Sequence, residues 1–272
     1  MQRESVGQSL LVALAVCIVC SVLVSSAAVR LKPLQQANQV RQMRTNVLSV
    51  TGLYQEGVPV SEQFQQAVET RVVELDTGEF VDPEKLPPKA LDIESATREP
   101  DLSVPIPDEQ NLAGLSRREK YSRVFLVKND QGQVEQVVLP VRGKGLWSTM
   151  YGFLSLEPDL RTVHGITFYE HGETPGLGGE IESEKFTRQW EGKLVRESDG
   201  TDRFDFVRGS VDPGDPAAKY KIDGIAGATI TTRGVVNMIR FWMGPLGFKK
   251  FLEKQEEFFE KQQAGGMGMP RA

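Results

Sequence analysis

The stretch Asp223-Gly224-Ile225-Ala226-Gly227-Ala228-Thr229-Ile230-Thr231-Thr232-Arg233-Gly234-Val235 changes character halfway along. Its first half is too small to build a core. Three threonines then fall within four positions, and from Val235 to Trp242 the apolar residues recur as on a helix. Gly224, Gly227 and Ala228 leave the backbone bare, so a ligand can come close to it. A helix start presents unpaired N–H groups and a partial positive charge, a good seat for phosphate. A threonine hydroxyl there can donate to a phosphate or be esterified by one. Thr229, Thr231 or Thr232 could equally cap the helix, and these residues alone leave both readings open.

The chain has 272 residues, a formal net charge of −5 and 39% hydrophobic residues. That is enough apolar material for one large domain or two small ones. The acidic balance argues against nucleic acid as a partner, which calls for a basic face. Both cysteines, Cys17 and Cys20, fall in the first apolar stretch. The remainder therefore has no disulfide framework, Cys-based zinc site or catalytic thiol. Two histidines, His164 and His171, are too few for a His-rich metal site. Redox chemistry, if present, has to come from a cofactor.

Ser9 to Val29 carries no charge. As a helix it would extend about 32 Å, enough to cross a bilayer core of about 30 Å. Length favours a transmembrane helix. Ser25-Ser26-Ala27-Ala28 keeps a cleaved signal peptide open, although the apolar run is long for one. Leu14-Ala15-Val16-Cys17 looks like a lipoprotein signal, but Cys17 sits in the middle of the run. Positive charge is heavier after the run (Arg30, Lys32, Arg41, Arg44) than before it. Counted alone, that charge keeps the body of the protein in the cytoplasm.

The periodicity predicts a core-facing helix over Leu34 to Leu53 and a short helix over Ser61 to Ala67. Strands are expected at Arg71 to Leu75, Val124 to Val127, Val134 to Val141, Val163 to Tyr169 and Lys193 to Arg196. Asn129-Asp130-Gln131-Gly132 reads as a hairpin turn. Six prolines between Val81 and Asn111 read as a long extended connection. Glu182 to Trp190 is helical, and the Gly- and Met-rich tail from Ala264 is frayed. Strands and helices mix without βαβ repeats, which gives the class α+β.

Two further segments are built like binding loops. In Gly143-Lys144-Gly145-Leu146-Trp147-Ser148-Thr149-Met150-Tyr151-Gly152, glycines bracket two large aromatics, and Trp147 could pack on a planar ring. The bland alternative is a tight turn with Trp147 in the core. In His171-Gly172-Glu173-Thr174-Pro175-Gly176-Leu177-Gly178-Gly179-Glu180, four glycines and a proline make a shaped, exposed loop that is either structural or binding. His171 has no identifiable partner and reads as a loop hydrogen-bonder before a catalytic base.

Asp223 to Thr229 resembles the flavinylation motif of FMN-binding domains, an Asp-Gly-x-Ser/Thr-Gly-Ala-Thr run whose last threonine carries FMN as a phosphoester. The resemblance implies FMN on Thr229, attached from FAD by a flavin transferase with release of AMP. It implies that Asp223, Gly227 and Ala228 belong to the motif. Ala226 departs from the pattern, since the family has Ser or Thr there. Gly145 to Gly152, His171 to Glu180, the N-terminal apolar run and the segment Asn46-Val47-Leu48 to Gly52-Leu53 are similar to the NqrC family of sodium-translocating NADH:quinone reductase subunits. The likeness runs over nearly the whole chain. It implies that Trp147, Thr174 and Leu177 line the flavin ring.

The same resemblance implies an electron-transfer subunit of a multi-subunit complex with NADH as donor, ubiquinone as acceptor and Na+ exported. No NADH site is expected on this chain, because no Gly-x-Gly-x-x-Gly follows a strand. It further implies a single-pass protein of a bacterial inner membrane with its soluble domain in the periplasm, against the charge count. The expected organisation is 1–8 cytoplasmic, 9–29 transmembrane, 30–80 membrane-proximal helix and start of the soluble domain, 81–111 Pro-rich connection, 112–245 FMN-binding domain and 246–272 C-terminal helix and tail. Two alternatives remain: the corresponding FMN subunit of the related ferredoxin:NAD ion-pumping complex, and a membrane-tethered binding module without redox function.

Overall fold

The computed structural model describes residues 6–197 and 201–265. The expected frayed tail beyond residue 265 and the first five residues lie outside it. The chain divides into two units, Met1–Arg44 and Thr45–Ala272.

The described residues of the first unit, 6–44, are helical. Helix α1, Val6–Val50, continues into the second unit and contains Pro33. An 18-residue window within it has a mean hydropathy of 2.7, long and apolar enough to cross a membrane. Two helices were expected here and one forms. Ala27-Ala28 and Leu34-Gln35-Gln36-Ala37 flank the proline with strong helix formers, so losing one hydrogen bond does not end the helix. The expected core-facing stripe is also shorter than its pattern. Leu34 and Val40 are exposed, and burial starts only at Val47, Leu48 and Val50.

The second unit is a mixed α+β domain around one antiparallel sheet. After α2 (Val60–Ala67) come β1 (Val68–Glu74) and β2 (Glu79–Val81). The Pro-rich segment follows, and it is not extended throughout. Asp92 caps α3 (Ile93–Arg98) by accepting from Ser95 N–H, and β3 (Ser103–Pro105) pairs with β4 (Arg117–Glu119). The prolines keep these pieces short, and several of them open 3-10 turns.

Next come β5 (Tyr121–Lys128), β6 (Val134–Lys144), β7 (Thr149–Leu156) and β8 (Val163–Glu170). The sheet order is β2-β1-β5-β6-β7-β8. The β5–β6 turn is the expected one, with Gly132 at φ +77° donating its N–H to Asn129. Strand β7 was not anticipated as such. Lys193 to Arg196 was expected to be a strand, yet only Leu194 forms a bridge, to Thr162. Then follow α4 (Glu184–Arg188), β9 (Asp205–Val207), β10 (Lys221–Asp223), α5 (Thr229–Met243) and α6 (Lys249–Gly265).

Side chains alternate across the sheet. Val124, Leu126, Val137, Leu139, Val141 and Leu154 join Val235, Val236, Met238, Ile239 and Trp242 of α5 in the main core. The opposite face holds an aromatic row in which Phe64, Phe125, Phe153 and Tyr169 follow one another at 6.1, 5.8 and 5.0 Å between ring centroids. Helix α5 is fixed on β6 by Trp242, whose indole N–H donates to the Arg142 carbonyl at 2.7 Å. The first turns of α5 reach the end of β6 where the β6–β7 hairpin turns: a Cβ on Gly234 would stand 2.4 Å from the Lys144 carbonyl oxygen.

Candidate functional site

The three segments singled out in the sequence come together. The β6–β7 hairpin ends in a tight tip, Gly145 to Ser148, closed by Gly145 N–H to Ser148 O at 2.8 Å. The tip is exposed, and Trp147 retains 69% of its surface. The alternative that buried Trp147 in the core is therefore wrong. Strand β7 was hidden for the same reason: Gly145 and Gly152 made the whole stretch look like a loop.

The loop His171 to Gly179 lies against this tip. Ser148 Oγ accepts the Gly172 N–H at 2.6 Å. The Thr174 carbonyl accepts from Leu177 and Gly179 N–H groups at 3.1 and 2.9 Å, and Gly176 turns the chain at φ +75°. Thr174 is exposed and Leu177 keeps 45% of its surface. His171 is a loop hydrogen-bonder: its Nδ1 accepts the Glu173 N–H at 3.1 Å, and its Nε2 stands 3.0 Å from Glu182.

The threonine-rich stretch starts α5, six residues earlier than its apolar pattern begins. Ala228 is the N-cap and offers no capping side chain. The first backbone bond of the helix runs from Thr232 N–H to Ala228 O, so the N–H groups of Thr229, Ile230 and Thr231 precede it. The hydroxyls are divided unequally. Thr232 Oγ1 donates to Ala228 O and accepts from Ile225 N–H. Thr231 Oγ1 donates to Glu173. Thr229 is part-exposed, and its hydroxyl makes no hydrogen bond among the described residues.

Asp223 stands apart from the helix start. It ends β10, accepts the Val211 N–H at 2.8 Å and exchanges backbone bonds with the Gln189 side chain. Gly227 (φ +75°) and buried Ala228 make the sharp entry into α5. A Cβ on Gly227 would lie 3.1 Å from Leu177 Cδ2, so the motif and the loop touch there.

Two residues were missed in the sequence. Ile230, 60% exposed, joins Leu146, Trp147 and Leu177 as a large exposed hydrophobic on these three segments. Glu173 is 5% exposed. Its carboxylate accepts N–H groups of Leu146 at 3.2 Å and Trp147 at 2.9 Å, together with the Thr231 hydroxyl at 2.5 Å. Burial pushes its pKa up, but the Thr231 hydroxyl and the N–H groups of Trp147, Leu146 and Ser148 outweigh that and hold it below the ordinary carboxylate value. No pattern marks such a residue, because its partners lie far apart in the chain.

The arrangement combines an uncommitted hydroxyl, free N–H groups at a helix start and an exposed apolar rim. It can seat a phosphate on one side and a planar ring on the other. Among the described residues no group of three His, Cys, Asp or Glu side chains could hold a metal ion.

The FMN-binding domain family matches residues 145–244, which take in the hairpin tip from Gly145 on, the His171–Glu180 loop and the threonine-rich stretch. The NqrC-type subunit of the Na(+)-translocating NADH-quinone reductase of Pseudomonas aeruginosa is 44% identical over 253 residues, covering 92% of this chain and 96% of that protein. Its Yersinia pestis counterpart is 42% identical and covers 94% and 95%. The crystal structure of Shewanella oneidensis NqrC superposes with a TM-score of 0.74 at 32% identity, covering 81% of this chain and 99% of that one. With its long apolar N-terminal helix and its α+β domain, this chain belongs to the NqrC family of subunits of the Na(+)-translocating NADH-quinone reductases, an oxidoreductase complex, and contains an FMN-binding domain.

Proposed function

We propose that this chain carries FMN as a phosphoester on the Thr229 hydroxyl and relays electrons from NADH towards ubiquinone within a Na+-exporting complex. The observation that carries the proposal is the division of labour among three hydroxyls on one helical turn. Those of Thr231 and Thr232 are engaged, and that of Thr229 is uncommitted. Attachment is by transfer from FAD: Thr229 Oγ bonds to the phosphorus of the FMN half, AMP leaves, and the hydroxyl proton passes to the flavin transferase or water.

When bound, FMN supplies electron transfer between redox centres of the complex. The chain's own residues hold and position it. The free N–H groups of Thr229, Ile230 and Thr231 face developing or resting negative charge at the phosphate. Trp147 and Leu177 offer exposed apolar surface to the ring, with Thr174 beside them. Gly227 and Ala228 shape the approach to Thr229, and Asp223, at the end of β10, ties that strand to the loop at Val211. Ala226 is exposed and brings no hydroxyl next to Thr229, so attachment is expected to be less efficient than with Ser or Thr there, at the same site.

Helix α1 anchors the chain in a bacterial inner membrane, and the domain faces the periplasm, because large domains translocate despite flanking charge. A reporter active only outside the cytoplasm, fused at the C-terminus, checks the side. The attachment is tested by mass spectrometry of the tryptic peptide between Lys221 and Arg233 after co-expression with a flavin transferase. The reading predicts an FMN adduct localised to Thr229. An unmodified peptide, the outcome of a binding module without flavin, overturns it.

A further inference from the structure

We propose that Glu173 is the positioning residue of this site, pinning the Trp147 hairpin tip to the Thr229 turn of α5. The proposal rests on the reading of Thr229 as the flavin attachment point and deepens it. Three separate segments depend on this one side chain. Its Oε1 accepts from Trp147 and its Oε2 from Leu146 and Thr231, so both oxygens are committed. Thr231 lies two residues after Thr229 on the first turn of α5.

The packing around the carboxylate is built for it. A Cβ on Gly145 would fall 2.5 Å from Glu173 Oε1. A Cβ on Gly178 would fall 2.6 Å from Thr231 Oγ1 and 2.9 Å from Glu173 Oε2. Those glycines are bare so that the carboxylate can sit between hairpin, loop and helix. The backbone behind Glu173 is held in turn by His171 Nδ1. A buried carboxylate facing only donors is a rigid link, since charge-assisted hydrogen bonds are the strong ones. The ring-facing residue Trp147 and the phosphate-bearing residue Thr229 would then keep a fixed separation, and neither touches Glu173 through its own side chain in the hydrogen bonds described.

The test uses the full chain, made with and without a flavin transferase, as wild type, Glu173→Ala, Glu173→Gln and Thr229→Ala. Trp147 is the exposed tryptophan, whereas Trp190 and Trp242 are buried, so acrylamide quenching of the flavin-free protein reports on the tip. Amide exchange at Trp147 reports on its hydrogen bond. In Glu173→Ala we expect exchange at Trp147 to rise by about tenfold or more, since a charge-assisted bond is lost. Quenching should rise with it. Glu173→Gln keeps one acceptor for Trp147 and can donate to Thr231 Oγ1, so it should recover most of the exchange protection.

In the flavin-loaded proteins, Glu173→Ala should retain flavin on Thr229 but lose most of the visible circular dichroism that a fixed ring environment confers. Glu173→Gln should again lie between. Wild-type exchange, quenching and dichroism in folded Glu173→Ala would overturn the positioning role. If the alanine variant fails to fold, wild-type values in Glu173→Gln for both the Leu146 and Trp147 amides would do so. Flavin surviving in Thr229→Ala would sink the attachment reading alone, and the flavin-free exchange data would still decide the role of Glu173.

Discussion

Gly227 and Leu177 meet where the motif turns into α5: a Cβ at position 227 would stand 3.1 Å from Leu177 Cδ2, on a backbone at φ +75°. Gly227→Ala therefore meets two penalties, a left-handed conformation costing about 1–2 kcal/mol and a push on Leu177. Thermal unfolding should show a fall in Tm of roughly 2–8 °C, at about 2–4 °C per kcal/mol for a domain of this size. Flavin loading should drop with it. An unchanged Tm and unchanged loading would show that this contact does not shape the site.

Gly234 gives a sign reversal. In an exposed helix interior, Gly→Ala gains about 1 kcal/mol. Here the new Cβ would stand 2.4 Å from the carbonyl oxygen of Lys144 and 3.3 Å from Gly145 Cα. Backbone on backbone has little room to give, so Gly234→Ala should destabilise by about 1–3 kcal/mol in urea unfolding. A stabilised variant would mean that α5 stands off the hairpin.

Acid should act on Glu173 in a defined direction. Its folded pKa is lowered, the net of burial raising it and hydrogen bonds from Thr231, Trp147, Leu146 and Ser148 lowering it further. The stability it contributes is thus present above the unfolded glutamate value of about 4.3 and is lost as pH falls through the lower folded value. Glu173→Gln has no such proton to bind. Its unfolding free energy should fall less steeply than wild type below about pH 4.5. Parallel curves for the two proteins would contradict the shift.

Deeper in the domain, Arg142 and Glu119 form a buried ion pair whose side chains keep 7% and 3% of their surface. The Arg142 guanidinium also lies 5.8 Å from the Trp242 ring centroid. Glu119→Ala strands the cation and should cost about 3–5 kcal/mol by chemical denaturation. Replacing both together, Arg142→Met with Glu119→Leu, should cost far less, because no charge is left unpaired. Equal losses in the two variants would show that shape, not charge, matters there.

Local signals in the sequence were readable where one short stretch holds the whole cause. Asn129 to Gly132 is such a stretch, since its turn chemistry needs no distant partner. The apolar run of α1 is another. Strand β7 was masked because the glycines in it and just before it serve contacts elsewhere: the Gly152 position faces the Thr167 carbonyl, and the Gly145 position in the hairpin tip faces Glu173. The start of α5 was read late because Thr229 to Gly234 lacks apolar periodicity, and tertiary contacts from Thr231 and Thr232 hold that turn. The three candidate segments were legible from their small residues and the motif. Glu173 and Ile230 were not, because their places depend on which segments the sheet brings together.

In-gel flavin fluorescence under denaturing conditions decides whether Thr229 is the flavin acceptor. The full chain is co-expressed with a flavin transferase as wild type, Thr229→Ala, Thr231→Ala and Thr232→Ala. A fluorescent band is expected in wild type and in the Thr231 and Thr232 variants, and none in Thr229→Ala. A dark wild-type band, or a band that survives Thr229→Ala, would contradict Thr229 as the acceptor.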